Sequence, residues 1–380
     1  MKKYNIIICG GHLSPALAII EKLKSINIFS YSLFYFGRKS ALEGDDSLSL
    51  EYITAAKLAI PFYCLISGRL QRSISSYSLT SLLKIPVGFI QSLYYVYKLK
   101  PDIVISFGGY VALPVCIAAY IKGVPILTHE QTHVLGLSNR IIARFAEVVC
   151  LSWEHTAKVP PGTKTIYTGL PIRKAIKSVT NKKFISIGNS KLPLIYITGG
   201  SLGSRSINQV VQQILPTLLK RFRIFHQTGT ANNNADYNRL NMIKNSLTDW
   251  EKKNYKLVTQ LHPDQIGTVL RNSFLVIGRS GASTVAEIAT LKVPAILIPL
   301  PWSADSEQEK NAAFLEKLGL AIVINQENLE KDSLLDAIDF VNKNINFFRI
   351  NYSKNQRLFR SNAAEQIVNL INSTISNAQV

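Results

Sequence analysis

Leu194-Ile195-Tyr196-Ile197 runs into Gly199-Gly200-Ser201-Leu202-Gly203-Ser204-Arg205. A continuous apolar run that ends in glycines, with a helical pattern behind it, reads as a buried strand, a tight turn and a helix start. The pattern recurs as Ile6-Ile7-Ile8 before Gly10-Gly11, Ile103-Val104-Ile105 before Gly108-Gly109, and Leu275-Val276-Ile277 before Gly278. Strands apolar on both faces belong in parallel sheets covered by helices, so the fold class is α/β with two Rossmann-like domains. The turn-rich segment Val159-Pro160-Pro161-Gly162-Thr163-Lys164 marks the expected boundary. We therefore expect a first domain over 1–165, a second over 166–345, and a C-terminal helical segment over 346–380 that packs back on the first.

The length of 380 residues suits two domains, and 47% apolar with 18% charged residues excludes a wholly disordered chain. Ile103 to Ile121 carries no charge over nineteen residues, the length of a membrane span. Gly108-Gly109 and Pro114 interrupt it, which favours a buried strand, a turn and a buried helix. Cys9, Cys64, Cys116 and Cys150 lie far apart without a C-x-x-C pair, which speaks against a zinc site or a disulfide framework. The apolar run after Met1-Lys2-Lys3 is too short for a signal peptide, so a cytoplasmic location is expected.

The net charge is +19, of which +13 falls in residues 1–190. An anionic partner and a codon bias toward Lys both raise such a total, but codon bias does not explain the asymmetry. No acid occurs between Tyr52 and Pro101, where Lys57, Arg69, Arg72, Lys84, Lys98 and Lys100 alternate with aromatics such as Phe89, Tyr94 and Tyr97. The apolar core of that stretch, Leu82 to Ile90, favours an anionic membrane surface over nucleic acid.

Glycine turns that open helices offer unpaired N–H groups to phosphate. Gly199 to Arg205 is such a junction, but neither G-x-G-x-x-G nor a P-loop is present. At Gly278-Arg279-Ser280-Gly281-Ala282-Ser283-Thr284, the pair Thr284 and Glu287 has capping-box spacing; Glu287 could equally accept from a ribose diol. A polar loop, Asp305 to Asn311, follows Pro299-Leu300-Pro301-Trp302 where open α/β sheets bind ligands.

Taken together these stretches resemble the MurG family of bacterial glycosyltransferases. The residues that carry the resemblance are Gly10-Gly11-His12-x-x-Pro15, Gly108-Gly109-Tyr110, His129-Glu130-Gln131 with Asn139-Arg140, Thr168-Gly169-x-Pro171-Ile172-Arg173, Gly199-Gly200-Ser201-x-Gly203, Arg279-Ser280-Gly281-Ala282-x-Thr284-x-x-Glu287 and Gln308-x-x-Asn311-Ala312. The family's fold is GT-B, two Rossmann-like domains facing across a cleft. Its activity is inverting transfer of N-acetylglucosamine from UDP-N-acetylglucosamine to the polyprenyl-diphosphate-linked acceptor lipid I, which yields lipid II for peptidoglycan.

By position the resemblance implies His12 as general base, and Arg173, Ser201, Gly203, His262, Ala282, Thr284, Glu287 and Gln308 as the UDP-N-acetylglucosamine site. Among these, Glu287 would hold the ribose, and backbone near Leu261 and His262 would read uracil. Gly10, Gly11, Gly108, Gly109, Tyr110, Glu130 and Thr132 would meet the acceptor. No cofactor, no metal and no nucleic acid are expected; no D-x-D motif occurs. The enzyme would sit peripherally on the cytoplasmic face of the plasma membrane. The chain departs from the family in having one glycine pair before His12, Thr132 in place of asparagine, and Leu202 in place of glutamine. The rival readings are a GT-B transferase with another lipid acceptor, a UDP-sugar epimerase, and an inactive membrane-attached UDP-sugar-binding protein.

Overall fold

The computed structural model describes residues 3–26, 29–40, 48–66, 76–177, 187–188 and 191–377; in the helix Ser76–Leu99 side chains are described from Pro86 on. The chain forms two compact units, Met1–Arg173 with Arg360–Val380, and Lys174–Phe359.

The first unit is built on β1 (Lys3–Cys9), β2 (Ser30–Gly37), β3 (Phe62–Cys64), β4 (Ile103–Ser106), β5 (Ile126–Glu130), β6 (Val148–Leu151) and β7 (Thr165–Tyr167). They lie in the order β3-β2-β1-β4-β5-β6-β7, every pairing parallel. Successive side chains of a strand point to opposite faces. Accordingly Ile6 and Ile8 enter one core with the helix Leu13–Lys24, and Ile7 and Cys9 enter another with the helix Ala112–Ile121. Being covered on both faces is why the run Ile6-Ile7-Ile8 in β1 is interrupted by no polar residue. The uncharged run from Ile103 resolves into β4 and the helix Ala112–Ile121, and no described helix is long and apolar enough to cross a membrane.

The second unit holds β8 (Leu194–Thr198), β9 (Arg223–Gln227), β10 (Tyr255–Val258), β11 (Leu275–Gly278), β12 (Ala295–Leu297) and β13 (Ala321–Val323). Their order, β10-β9-β8-β11-β12-β13, repeats the first unit's scheme, again all parallel. In each sheet the direction of winding reverses beside the founding strand, between β1 and β4 and between β8 and β11. Ligands of open α/β sheets bind beyond the carboxyl ends of strands at such a reversal.

The first unit extends to Arg173, past the expected limit at 165, because β7 comes after the Pro-Gly turn and pairs with β6. The C-terminal helical segment expected over 346–380 is divided between the units. One helix, Ile345–Asn355, belongs to the second unit; the other, Ala363–Asn377, packs on Leu13–Lys24 in the first, burying Ile367, Val368, Ile371 and Ile375. Leu358, in the turn Gln356–Leu358 between them, is only half-buried.

Candidate active-site elements at the two strand reversals

In the first unit the ends of β1, β4 and β5 converge. Phe107 N–H donates to Cys9 O at 2.8 Å, and Gly11 N–H to Gly108 O at 3.4 Å. Gly10 has φ +132° and a Cβ there would lie 2.8 Å from Gly108 O, so only glycine fits this crossing. The turn carries Gly11, Gly108 and Gly109 to the same sheet end. Tyr110 comes next, with the Arg38 guanidinium 5.0 Å from its ring centre. His12 caps the helix Leu13–Lys24 without a side-chain cap bond, so its imidazole is available for other work.

Gln131 Nε2 lies 2.7 Å from His12 Nδ1. So placed, the amide donates to Nδ1 and the ring proton sits on Nε2. Turning the amide over would offer Oε1 instead, move the proton to Nδ1 and leave Nε2 as the basic atom. Enclosure by the protein pushes His12 below its ordinary pKa, partly offset by the negative charge of Glu130. Glu130 is buried and bonded inward. It accepts from Thr132 N–H (3.0 Å), Gly136 N–H (2.9 Å) and Asn139 Nδ2 (3.0 Å), and the Thr132 hydroxyl lies 2.7 Å from it. Glu130 and Thr132 thus brace the loop after β5. Neighbouring His129 is also buried, and burial pushes it down to about 4.

The second unit gathers backbone N–H groups and a guanidinium. After β8 the loop Gly199–Gly203 turns into the helix Arg205–Leu219, capped by Ser204. Gly203 has φ +91°, and any Cβ there would collide with Thr228 O. Ser201 is exposed, and its carbonyl accepts from Thr230 N–H at 3.1 Å. After β11 the helix Ala282–Leu291 begins at Gly281, which gives no side-chain cap bond. Thr284 is therefore the third helical residue and Glu287 lies in the second turn. The capping-box pairing that their spacing allowed is not formed. Glu287 is 7% exposed.

Arg279, between β11 and that helix, donates through Nη1 to Ile298 O and Pro299 O, both at 3.0 Å, and through Nη2 to Ser206 Oγ at 3.2 Å and to Gln326 Oε1. Those four acceptors are neutral. Burial pushes its pKa down to about 10, which leaves it charged at neutral pH. Gln308 Oε1 accepts from Leu300 N–H at 3.1 Å, so its amide NH2 is the group it can offer a ligand. Ser280 Oγ donates to Gln308 O at 2.6 Å, and Asn311 Nδ2 to Ser280 O at 3.0 Å, which ties the loop before the helix Glu307–Lys317 to the crevice. His262 caps the helix Pro263–Asn272, accepting from Asp264 N–H at 3.3 Å, while Leu261 is buried.

The structure thus brings His12, Gly10, Gly11, Gly108, Gly109, Tyr110, Glu130 and Thr132 to one sheet end, and Ser201, Gly203, Ala282, Thr284, Glu287 and Gln308 to the reversal of the other sheet. Arg173 is the last residue of the first unit and is buried. Sequence reasoning gave no role to Gln131, Asn139 or Arg279. Their side chains act through partners 119, 9 and 47 positions away, and no spacing rule announces such pairs. Among the described residues there is no cluster of three or more His, Cys, Asp or Glu that could hold a metal ion.

Comparison with known proteins also finds two domains, the second match running past Phe359 into the last helix. Residues 9–151 match the N-terminal domain of glycosyltransferase family 28, and residues 194–368 its C-terminal domain. A Clostridium perfringens (strain SM101 / Type A) protein, "UDP-N-acetylglucosamine--N-acetylmuramyl-(pentapeptide) pyrophosphoryl-undecaprenol N-acetylglucosamine transferase", is 33% identical over 98% of both chains. A like-named Bacillus cereus (strain ATCC 10987 / NRS 248) protein is 32% identical over 90% of this chain and 91% of its own. The crystal structure of Acinetobacter baumannii MurG superposes with a TM-score of 0.69 at 25% identity, covering 98% of this chain and 100% of that one. UDP-GlcNAc 2-epimerase from Neisseria meningitidis, at 14% identity and a TM-score of 0.67 over 98% and 100% of the two chains, shares the fold alone.

Proposed function

The chain belongs to glycosyltransferase family 28, and we propose that it moves N-acetylglucosamine from UDP-N-acetylglucosamine to the muramoyl-pentapeptide carried on undecaprenyl diphosphate. The observation that carries this reading is the reversal of the second sheet. Two helix N-termini and Arg279, whose four acceptors are all neutral, leave a positive crevice suited to a nucleotide diphosphate. The names of the full-length relatives supply the sugar and the acceptor.

In this mechanism the acceptor hydroxyl oxygen bonds to the anomeric carbon on the face opposite the diphosphate, which inverts its configuration. The bond from that carbon to the diphosphate oxygen breaks and UDP departs. His12 takes the hydroxyl proton, and its lowered pKa keeps it in the basic form at neutral pH. Charge on the departing diphosphate meets the N–H groups at the start of Arg205–Leu219, a fixed arrangement that needs no reorganisation. Arg173, which the family resemblance implies is part of the UDP-N-acetylglucosamine site, faces the diphosphate in this reading, and Glu287 keeps the ribose role that the resemblance implied. Gln308 offers its NH2 to the sugar hydroxyls.

We also propose peripheral attachment to the cytoplasmic face of the plasma membrane through the first unit. Leu83 and Ile85 of the expected apolar cluster lie outside the residues whose side chains are described. The described surface consists of exposed Ile90, Tyr94, Tyr97, Tyr120 and Ile121 with Lys98 and Lys122, on two helices packed together. Lys122 Nζ sits 3.7 Å from the Tyr97 ring centre. Apolar and aromatic groups beside lysines suit an anionic lipid interface.

The test is incubation of the purified chain with UDP-N-acetylglucosamine and lipid acceptors in excess EDTA, with mass spectrometry of the products. Addition of one N-acetylhexosamine to the undecaprenyl-linked muramoyl-pentapeptide, with release of UDP, is the expected result. Epimerised UDP-sugar without transfer, or transfer only to a different lipid, would replace this reading.

A further inference from the structure

Behind the glycine loop of the second unit runs a line of polar side chains. His226 and Asn208, at its centre, are wholly buried. Asn208 Nδ2 lies 3.1 Å from Thr228 O and 2.8 Å from Asp236 Oδ2, and Asn208 Oδ1 lies 2.9 Å from His226 Nε2. A carbonyl and a carboxylate only accept, so the amide must present its NH2 to them and its oxygen to the imidazole. That oxygen requires a hydrogen on Nε2. Nδ1 then holds a lone pair, which accepts from the Tyr255 hydroxyl 3.1 Å away. Burial pushes His226 down to about 3, so the ring is neutral and carries the single hydrogen this pattern needs. The line ends where Arg239 Nη2 meets Asp236 Oδ1 at 2.8 Å.

The carbonyl held by Asn208 is the one against which Gly203 is seated, since a Cβ on Gly203 would strike Thr228 O. One residue earlier, Gln227 Nε2 donates to Gly200 O at 3.0 Å, with its own Oε1 held by the Tyr196 hydroxyl at 2.9 Å. Gly229 packs against Gly203 from the same turn. The turn after β9 is therefore the bed of the loop Gly199–Gly203, and the buried line locates that bed.

We propose that His226 is a positioning residue for the donor diphosphate, acting through Asn208 and the Thr228 carbonyl to set the N–H groups of the Gly199–Gly203 loop. This rests on the reading that the loop takes the diphosphate. A histidine that merely filled the core would affect stability and treat every ligand alike. One that sets the loop affects ligands carrying phosphates and spares the nucleoside.

The experiment compares UDP with uridine by calorimetry on the full chain. The wild type should bind UDP more tightly than uridine. His226→Phe keeps a ring but loses both hydrogen bonds, and should lose tenfold or more in UDP affinity with uridine changed less than twofold. Asn208→Ala, which leaves the imidazole in place, should do the same and serves if His226→Phe does not fold. Leu334→Ala, a cavity in the apolar core of the same unit that removes no hydrogen bond, should lower Tm while keeping the wild-type ratio of the two affinities. A wild-type ratio in His226→Phe or, failing that, in Asn208→Ala overturns the proposal. If the wild type itself binds UDP no better than uridine, the diphosphate reading of the loop falls first, and the proposal with it.

Discussion

The first unit brings imidazoles and a buried carboxylate to its strand ends, whereas the second brings helix N-termini and a guanidinium whose four acceptors among the described residues are neutral. Apart from the extra edge strand β7 of the first, both sheets have the same strand order and reverse at the same place, so topology supplies a crevice in each and says nothing of its chemistry. The chemistry comes from the residues just beyond each strand end. After β1 and β5 stand His12 and Gln131, a titratable ring and the amide that orients it. After β8 and β11 stand Gly203 and Arg279, which fix donors in space. In the proposed function one unit moves a proton and the other holds an anion.

The sharpest way to break this contrast is His12→Ala, expected to lower kcat by about 10² to 10⁴ while leaving UDP affinity nearly unchanged. The base must be neutral, and its pKa lies below the usual 6.5, so wild-type kcat should fall only as pH drops below 6.5. That acidic limb should vanish in the variant. Full activity in His12→Ala under saturating substrate would end the proton-moving role of the first unit.

Next in size is Glu287→Ala, which should weaken UDP binding by about 1.5 to 3 kcal/mol, the range for hydrogen bonds to a charged group. Gly281 rather than Thr284 begins the helix, so loss of a cap does not explain such an effect. Calorimetry that finds unaltered UDP affinity with lowered Tm would make Glu287 a structural carboxylate.

A third test uses one histidine from each unit that burial keeps neutral, His129 held at about 4 and His226 at about 3. In the unfolded chain each takes up a proton near 6.5, and in the folded chain it does not. Their contribution to stability is therefore complete above pH 6.5. It is lost as pH falls toward the folded values, by about 1.4 kcal/mol per pH unit for each ring. Urea denaturation at stepped pH should show a shallower loss between pH 6.5 and 4 for His226→Phe than for the wild type. Parallel curves would mean that His226 is protonated in the fold.

The smallest effect is expected at the membrane surface. Ile90 is 65% exposed, so Ile90→Ser should remove about 1 kcal/mol of insertion, roughly a fivefold drop in vesicle partitioning. Measured on anionic vesicles at high salt, the drop should persist, because salt screens charge and not apolar contact. Identical flotation of variant and wild type would move the docking surface elsewhere.

The two units also differ in how much could be read in advance. The glycine turns after Cys9, Ser106, Thr198 and Ile277 announced both sheets, because doubly covered strands must be apolar and sharp turns need glycine. The extent of the units was less legible. Nothing local in Thr165-Ile166-Tyr167 says that it pairs with β6, and nothing between Phe347 and Ile375 says that the chain changes units there. In the sites, His12 and Glu287 were visible as polar residues following glycine turns and Gln308 as part of the polar loop Asp305 to Asn311, with the roles of His12 and Gln308 implied by the family resemblance. Gln131 and Arg279 stood inside the family's motifs without a task, since their hydrogen-bond partners are remote in sequence.

The sequence by itself determined the α/β class, the parallel strands, the two domains and the positions of the phosphate-suited turns. Each of these comes from periodicity, apolar runs and glycine, which act over a few residues. Tertiary structure alone decided that Glu130 turns inward on Thr132, Gly136 and Asn139, and that Thr284 and Glu287 form no capping box. It also decided that His226 reaches the glycine loop only through Asn208 and Thr228. Each of these depends on which donor finds which acceptor once the strands lie side by side, a choice made by packing between segments and not by neighbours along the chain.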